Sequence, residues 1–342
     1  MDQHILDSLA IQYNLSKLTF LLEPENGIST RNAIVADDRG QKYFIKNYKA
    51  DHLKRLPLEE VLMEFVANNS NVPVLQPITN KDGELHTIVN EHIFGIYPFV
   101  EHVKNEPGNL AEELIFLETL GAMLGRIHGA SKNKILPEQS QSPHIYRPSD
   151  IQKAIAKIKQ MEEMILAKVA RNEYDERALS FIQAKLSTLE ASSFEILPEK
   201  EMVVCHGDFN RGNVVFNIDK EIIGVCDWDF SCISASENDL LRSFTMCVIK
   251  EDYERYTEKT EETRAFIKGY LENGGDAFTE EKMRYAIDLW YQKMATSLFP
   301  LYDHYVHGHT KGDHLIESEL RKHIFVGKNK EGLLGHLMSC ID

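Results

Sequence analysis

Positive charge is scarce in this chain: 38 lysines and arginines face 53 aspartates and glutamates, a formal net of −15 over 342 residues. A nucleic acid or an anionic membrane is bound through a basic face that displaces counterions, so neither is expected as a partner. The deficit is evenly spread. Residues 1–100 carry 9 basic and 13 acidic side chains, and the remaining 242 carry 29 and 40, leaving neither an acidic tail nor a hidden basic half. Cysteine is sparse as well: Cys205, Cys226, Cys232, Cys247 and Cys340 are odd in number and follow no CxxC spacing. A disulfide framework or a zinc site is therefore not expected, and a reducing compartment fits better. No apolar run approaches the roughly 18 residues of a membrane helix. The opening Met1-Asp2-Gln3-His4 lacks the basic-then-apolar pattern of a signal peptide, so a soluble, cytoplasmic protein is expected. No period of about 20–50 residues repeats, which excludes a solenoid or propeller. Neither a Walker A sequence nor Gly-x-Gly-x-x-Gly occurs, which disfavours P-loop and Rossmann readings.

What is present suffices for a core. The chain is 43% hydrophobic and long enough for two packed domains. The first hundred residues read as strands with one helix. Arg31–Ala36, the turn Asp37-Asp38-Arg39-Gly40, and Lys42–Tyr48 form a hairpin pattern, with Tyr43 and Ile45 on one face of the second arm and Phe44 and Lys46 on the other. A helix is expected from Pro57 through Leu58, Val61, Leu62, Phe65 and Val66. Two short strands are expected near Gly83–Asn90 and Ile93–Val100. From about residue 105 the period becomes helical: Leu110, Leu114, Leu117, Leu120, Leu124, Ile127 and His128 form one stripe behind an N-cap at Asn109. After a Pro-, Ser- and Gln-rich stretch from Pro137 to Pro148, two more helices are marked by Ile151–Val169 and Phe181–Leu189. Residues 202–229 interrupt that rhythm with short apolar runs, and helical periodicity resumes to the end.

The interruption carries the chemistry. Val203-Val204-Cys205-His206-Gly207-Asp208 delivers Asp208 from an apolar run into a polar loop, and Asn213 follows five residues later where Val214-Val215-Phe216 begins. That strand should pair with Ile222–Cys226 across the turn Asn217–Glu221, returning Asp227 to the end of the hairpin that holds Asn213. Convergence of Asp208, Asn213 and Asp227 is what phosphoryl transfer needs. One carboxylate orients and deprotonates a hydroxyl, while an amide and a second carboxylate hold magnesium on a triphosphate. A bland alternative is an Asx-rich turn whose side chains only cap backbone groups.

The spacing Asp-x-x-x-x-Asn is that of the protein-kinase catalytic loop. With His206-Gly207 in front and Asp227-Trp228-Asp229 nineteen residues on, the stretch resembles the aminoglycoside phosphotransferase-like kinases, a superfamily that includes choline, homoserine and hexosamine kinases. The resemblance runs over about residues 20–245. It implies an α+β, bilobal protein-kinase-like fold: a nucleotide-binding lobe over residues 1–100, with a small antiparallel sheet and one helix, and a mainly helical catalytic and acceptor lobe over 101–342 that carries an inserted hairpin. It implies ATP and magnesium as cofactors and a small-molecule hydroxyl as acceptor. Asp208 would be the catalytic base, and Asn213 and Asp227 the metal ligands. Lys46 would reach the α- and β-phosphates, paired with Glu59 on the following helix, or with Glu60 as second choice. Gly27 and Ser29 lie in the turn expected to cover the phosphates. Phe99 and Glu101 lie in the hinge expected to meet adenine, Asp229 lies near the metal, and Asp239 braces the catalytic loop. The chain departs from the protein kinases in having neither Asp-Phe-Gly nor Ala-Pro-Glu, which speaks against a protein substrate.

Other signals read as structural. His128 reads as a buried, hydrogen-bonded histidine, and His304, His307, His309 and His314 as a polar interhelical loop. Cys205 and Cys226 read as small buried residues that could lie on neighbouring strands. Trp290, Tyr291, Tyr302 and Tyr305 fit either an acceptor pocket or core packing, and Arg211 fits contact with phosphate or with an acidic acceptor. The rival from another class is a catalytically silent, nucleotide-binding kinase fold. Its usual sign is loss of the lysine, the base or the metal aspartate, and all three are present. Leu56–Pro73 and Phe266–Tyr270 lean towards homoserine-kinase-like members, while the abundant carboxylates would suit a cationic acceptor.

Overall fold

A computed structural model describes residues 1–24, 32–48, 50–137, 151–191, 202–250 and 252–341. In chain order the elements are α1 (Gln3–Gln12), β1 (Thr19–Leu22), β2 (Ala33–Ala36), β3 (Lys42–Tyr48), α2 (Leu56–Asn69), β4 (Thr87–Val89), β5 (His92–Pro98), α3 (Leu110–Gly129), α4 (Ile151–Leu166) and α5 (Glu173–Ala191). They continue with β6 (Met202–Cys205), β7 (Val214–Phe216), β8 (Ile222–Val225), β9 (Cys232–Ala235), α6 (Ser236–Phe244), α7 (Thr260–Glu272), α8 (Glu280–Thr296), α9 (Leu301–His307) and α10 (Ile316–Met338). The chain divides into two compact units. Met1–Glu106, Pro137–Ser140 and Gly212–Ser231 form the first; Pro107–Leu136, Gln141–Arg211 and Cys232–Asp342 form the second.

The first unit is built on an antiparallel five-stranded sheet in the order β1-β2-β3-β5-β4. The β2–β3 hairpin closes at the expected turn: Asp37 Oδ1 accepts from the amides of Arg39 and Gln41, Gly40 takes φ 82°, and Val35 pairs with Tyr43. Strand alternation then separates core from chemistry. Ile45 joins Val35, Phe94 and Ile96 against Leu6, Leu9 and Leu18, while Lys46 and Tyr48 project from the opposite face. Gly95 lies across from Lys46, and a Cβ there would sit 3.1 Å from the Tyr48 ring. The core that receives Ile45 needs α1, a second helix in a region where only α2 was expected. Asp2 caps it by accepting from the His4 amide at 2.8 Å. The two expected strands are present but shorter, as β4 and β5.

The β7–β8 hairpin belongs to this first unit. Its strand edges are held by main-chain bonds from Val225 to the Pro73 carbonyl (2.8 Å), from Leu75 to the Val225 carbonyl (3.0 Å) and from Val103 to the Phe216 carbonyl (3.0 Å). Chain order alone puts this hairpin inside the large lobe, because it follows α3, α4, α5 and β6. The three backbone bonds are long-range and leave no mark in the local pattern.

In the second unit, α3 starts at the expected cap, with Asn109 Oδ1 accepting from the Glu112 amide at 3.0 Å. Leu117, Leu120, Leu124, Ile127 and His128 are buried along one face. The packing of α3 on α7 is close enough to require glycine: a Cβ at Gly121 would lie 2.0 Å from the Phe266 carbonyl oxygen, and one at Gly269 would lie 2.0 Å from that of Glu118. A second core joins Ile158, Met161 and Ile165 of α4 to Phe181, Ile182 and Leu186 of α5, with Leu301 and Ile316. Val169, expected on the fourth helix, lies beyond its end and is exposed. β6 pairs with β9 in a two-stranded ladder, with Cys205 opposite Cys232. Among the described residues, no helix is long and apolar enough to cross a membrane.

Candidate active site

In the first unit the site is a cluster of charges around Lys46. Its Nζ donates to Asp227 Oδ1 at 2.6 Å and to Asp229 Oδ1. Both aspartates follow β8, on a short 3₁₀ turn, Trp228–Phe230, whose N-cap Asp227 takes left-handed φ 63°. Trp228 anchors the turn: its indole is buried and donates from Nε1 to the Val225 carbonyl at 3.1 Å. The two carboxylates differ in access. Asp227 keeps 44% of its side-chain surface exposed against 9% for Asp229, and His52 Nε2 approaches Asp229 at 3.4 Å. Asn213 ends the turn before β7, and its carbonyl accepts from the Cys226 amide at 3.0 Å. The hairpin therefore places Asn213 and Asp227 at one end, as the spacing implied.

Glu59 sits on α2 within this cluster, buried, with no hydrogen-bond partner for Oε2 among the described residues. Its carboxyl is pushed up to about 8, first by burial and then by Asp229, with Lys46 opposing. Burial disfavours the Lys46 ammonium too, but Asp227 and Asp229 outweigh it and hold the group well above its ordinary value. So the lysine's direct partners are the two aspartates, and Glu59 acts on it through space. Glu60 instead takes His86 Nδ1 at 3.0 Å. Asp227 and Asp229 offer carboxylate oxygens, the ligand type that magnesium prefers, and Asp227 is the more accessible of the two.

Phe99 and Glu101 both engage Lys42. The Phe99 amide donates to the Lys42 carbonyl at 3.3 Å, the Lys42 ammonium lies 5.3 Å from the Phe99 ring centroid, and it pairs with Glu101 at 2.7 Å. Gly27 and Ser29 lie outside the described residues.

The second unit carries Asp208 on the loop after β6. That loop is tied down by Asp239 of α6, which accepts from the His206 amide at 2.9 Å and from the Gly207 amide at 3.0 Å. Gly207 takes φ 78°, a conformation open to glycine. His128 completes the brace, with Nε2 3.1 Å from Asp239 Oδ2 and Nδ1 3.0 Å from the Tyr270 hydroxyl. Although burial works against its charge, these bonds hold the Asp239 carboxyl below the usual range. Asp208 itself meets Arg242, whose Nη2 donates to Oδ1 at 2.5 Å. Arg211 does not point to an open anion site. Its Nε donates to the Cys247 carbonyl at 2.8 Å, and its two Nη atoms fork onto the carboxylate of Glu113.

The Arg242 contact escaped the sequence reading. Arg242 is the only basic residue of α6 and stands three residues after Asp239, which was the available signal. The ties of Lys46 to Asp229 and of Arg211 to Glu113 were also unforeseen, for they join residues 183 and 98 positions apart. Cys205 pairs across the ladder with Cys232, while Cys226 lies in the other unit. Trp290 is buried, Tyr291 stacks on His323 with centroids 4.9 Å apart, and Tyr305 donates to Asp175 at 2.7 Å. His304 stacks on Tyr174 at 4.2 Å and contacts Asp313.

The model of the phosphotransferase enzyme family matches residues 21–285 of the chain. Among curated proteins, a probable choline kinase of Arabidopsis thaliana is 27% identical over 122 residues; the match covers 33% of this chain and 34% of the choline kinase, about a third of that relative's length. Among solved structures, a spectinomycin phosphotransferase in complex with ADP and spectinomycin superposes with TM-score 0.60 at 16% identity, over 96% of this chain and 94% of that one. A microcompartment-associated aminopropanol kinase does so with TM-score 0.57 at 15% identity, over 96% and 98%. At such identities the structural likeness establishes the α+β, kinase-like fold.

Proposed function

Because this chain belongs to the phosphotransferase enzyme family, we propose that it transfers the terminal phosphoryl group of ATP to a hydroxyl of a small molecule. The observation that carries the reading is the Lys46–Asp227–Asp229 cluster, with Asn213 at the same end of the hairpin. The loose, metaphosphate-like transition state of phosphoryl transfer asks for little covalent chemistry from a protein and much positioning of charge. Lys46 orients the phosphates. Asn213 and Asp227 would hold magnesium, which would supply positive charge to offset that of the phosphates. Asp208 accepts the proton of the acceptor hydroxyl, and Asp239 with His128 keeps the loop that bears it in place. Glu59 shares the buried environment of Lys46, whose charge is held chiefly by Asp227 and Asp229. The backbone around Phe99 and Glu101 is the proposed contact for adenine, and Gly27 and Ser29 are the proposed cover of the phosphates.

The acceptor class is an alcohol on an aminoglycoside, an amino alcohol, a homoserine-like amino acid or a sugar. Support comes from the similar proteins, which are named for choline, aminopropanol and spectinomycin. ADP release should be followed over choline, 1-aminopropan-2-ol, homoserine, hexosamines and spectinomycin with ATP and magnesium. Replacing Asp208→Asn should then lower kcat by on the order of 10²–10⁴-fold while leaving nucleotide affinity within about twofold. An unchanged kcat would remove Asp208 from the reaction. Calorimetry showing nucleotide binding that does not depend on magnesium would instead identify a silent kinase fold.

A further inference from the structure

We propose that Arg242 is a positioning residue for the base, and that α6 with the π-helical turn after it is the frame that holds the catalytic loop in register. This rests on the reading of Asp208 as the base. Two arginines clamp the loop, one at each end of Asp208–Arg211. Arg242, near the end of α6, donates from Nη2 to Asp208 Oδ1 at 2.5 Å. Arg211, on the loop itself, donates from Nε to the carbonyl of Cys247, which belongs to the π-helical turn Thr245–Ile249 directly after α6. The same Arg211 is forked onto Glu113 of α3, and Lys250 approaches that carboxylate at 3.6 Å. One continuous element thus supplies a donor to the loop's carboxylate and an acceptor to its guanidinium.

Several features make this an arrangement for orientation. A π-turn widens the helix and releases a carbonyl from the usual i+4 partner, and such turns gather at functional sites. Both side chains of the Arg242–Asp208 pair are largely withdrawn from solvent, at 27% and 18% exposure, so their charge-assisted bond is screened less than one at an open surface. A guanidinium fixed on one carboxylate oxygen selects the rotamer of Asp208 and, with it, the direction in which the other oxygen faces a hydroxyl. α6 also carries Asp239, whose carboxylate holds the amides of His206 and Gly207. Backbone before the base and side chain of the base are therefore set by residues one helical turn apart, at 239 and 242.

The test compares Arg242→Gln, Arg242→Lys, Arg242→Ala, Asp208→Asn and the double variant Arg242→Gln/Asp208→Asn. Turnover is read as ADP release with ATP and magnesium alone, and with whichever of choline, 1-aminopropan-2-ol, homoserine or spectinomycin the wild type uses fastest. Circular dichroism melting confirms that each variant is folded at the assay temperature. Misplacing a base by about 1 Å costs on the order of 10²-fold, so Arg242→Gln should lower kcat by about that factor. KM for the acceptor and Kd for ATP should stay within about twofold, because Arg242 holds neither ligand. Arg242→Lys should recover part of the loss, and millimolar methylguanidine should restore part of the activity of Arg242→Ala. Adding Arg242→Gln to Asp208→Asn should cost nothing further, since a positioning residue acts through the group it positions. An unchanged kcat in Arg242→Gln beside an impaired Asp208→Asn overturns the role of Arg242 and leaves the proposed reaction standing. A loss that neither Lys nor methylguanidine relieves, and that tracks the melting temperature, overturns it too by assigning Arg242 to stability. An unimpaired Asp208→Asn removes the base and the inference together.

Discussion

Two buried lysines in this protein show how neighbours decide what a side chain can be. Lys46 loses water on its strand face but gains Asp227 and Asp229, and the ammonium is retained. Lys185 on α5 is as thoroughly buried and gains only the carbonyl of Met294 and the face of the Phe181 ring, 4.1 Å from Nζ. Among the described residues no carboxylate pairs with it. Burial therefore dominates, with Glu319 opposing too weakly, and the amine is pushed down to about 7. The sign for stability follows. Between about pH 7 and its ordinary value the unfolded chain keeps a proton that the folded protein has released, so stability contributed by this group rises with pH across that window. Below it, folding must bury the charge. Lys185→Met removes the charge and keeps most of the packing, at the expense of one hydrogen bond to the Met294 carbonyl. The stability advantage of the Met variant over wild type should therefore shrink by about 3 kcal/mol between about pH 7 and pH 9.5. Paired urea titrations at the two pH values measure this directly, and a gap independent of pH would mean that Lys185 is not neutralised by folding.

At the scale of elements, the α3–α7 contact is the most demanding piece of packing. Gly121 and Gly269 let two backbones approach until a Cβ would fall 2.0 Å from a carbonyl oxygen of the partner helix. Backbone cannot rotate out of the way as a flexible side chain can, so Gly121→Ala must separate the helices. The expected loss is at least about 2 kcal/mol, net of the helix-propensity gain from replacing glycine, which is below about 1 kcal/mol. Gly335 of α10 provides the control: nothing lies within 4 Å of its Cβ position, so Gly335→Ala should stabilise by roughly 0.5–1 kcal/mol. Chemical denaturation of the two variants beside wild type decides it, and equal effects would contradict the packing. The same elements show what was legible. Periodicity exposed α2, α3, α4 and α5, because burial on one face writes a repeat into the sequence. The spacing from Asp208 to Asn213 to Asp227 exposed the hairpin and the residues at its end. α1 was missed because its short stripe of Leu6, Leu9 and Ala10 is too brief to register, although it closes the core behind Ile45. The pairing of Arg242 with Asp208, and of Lys46 with Asp229 rather than directly with Glu59, depends on rotamers and on backbone paths that no local pattern encodes.

At the scale of the whole molecule the dominant quantity is the net charge of −15, and its consequence is kinetic. A protein of that charge repels a triphosphate at distances where Lys46 is not yet felt, and attraction takes over only once the ligand is desolvated against the site. Long-range repulsion is screened by salt, whereas contacts within a few ångströms are screened far less. Raising ionic strength from about 10 mM to about 150 mM shortens the Debye length from about 30 Å to about 8 Å. The association rate of ATP with magnesium should therefore rise with salt over that range, by about two- to fivefold, where a protein with a basic entrance would show a fall. Stopped-flow binding of a fluorescent ATP analogue reads the effect, and a falling rate would show that local positive charge outweighs the molecule's net field. The same series read on the acceptor carries chemical information about its identity. A cationic acceptor is attracted by the acidic surface and should lose apparent affinity as salt rises. A neutral sugar should be indifferent, and a zwitterionic amino acid nearly so. The direction of the salt dependence of the acceptor KM thus sorts the candidate acceptors by charge before any complex is solved, using the one property that is spread over the entire chain.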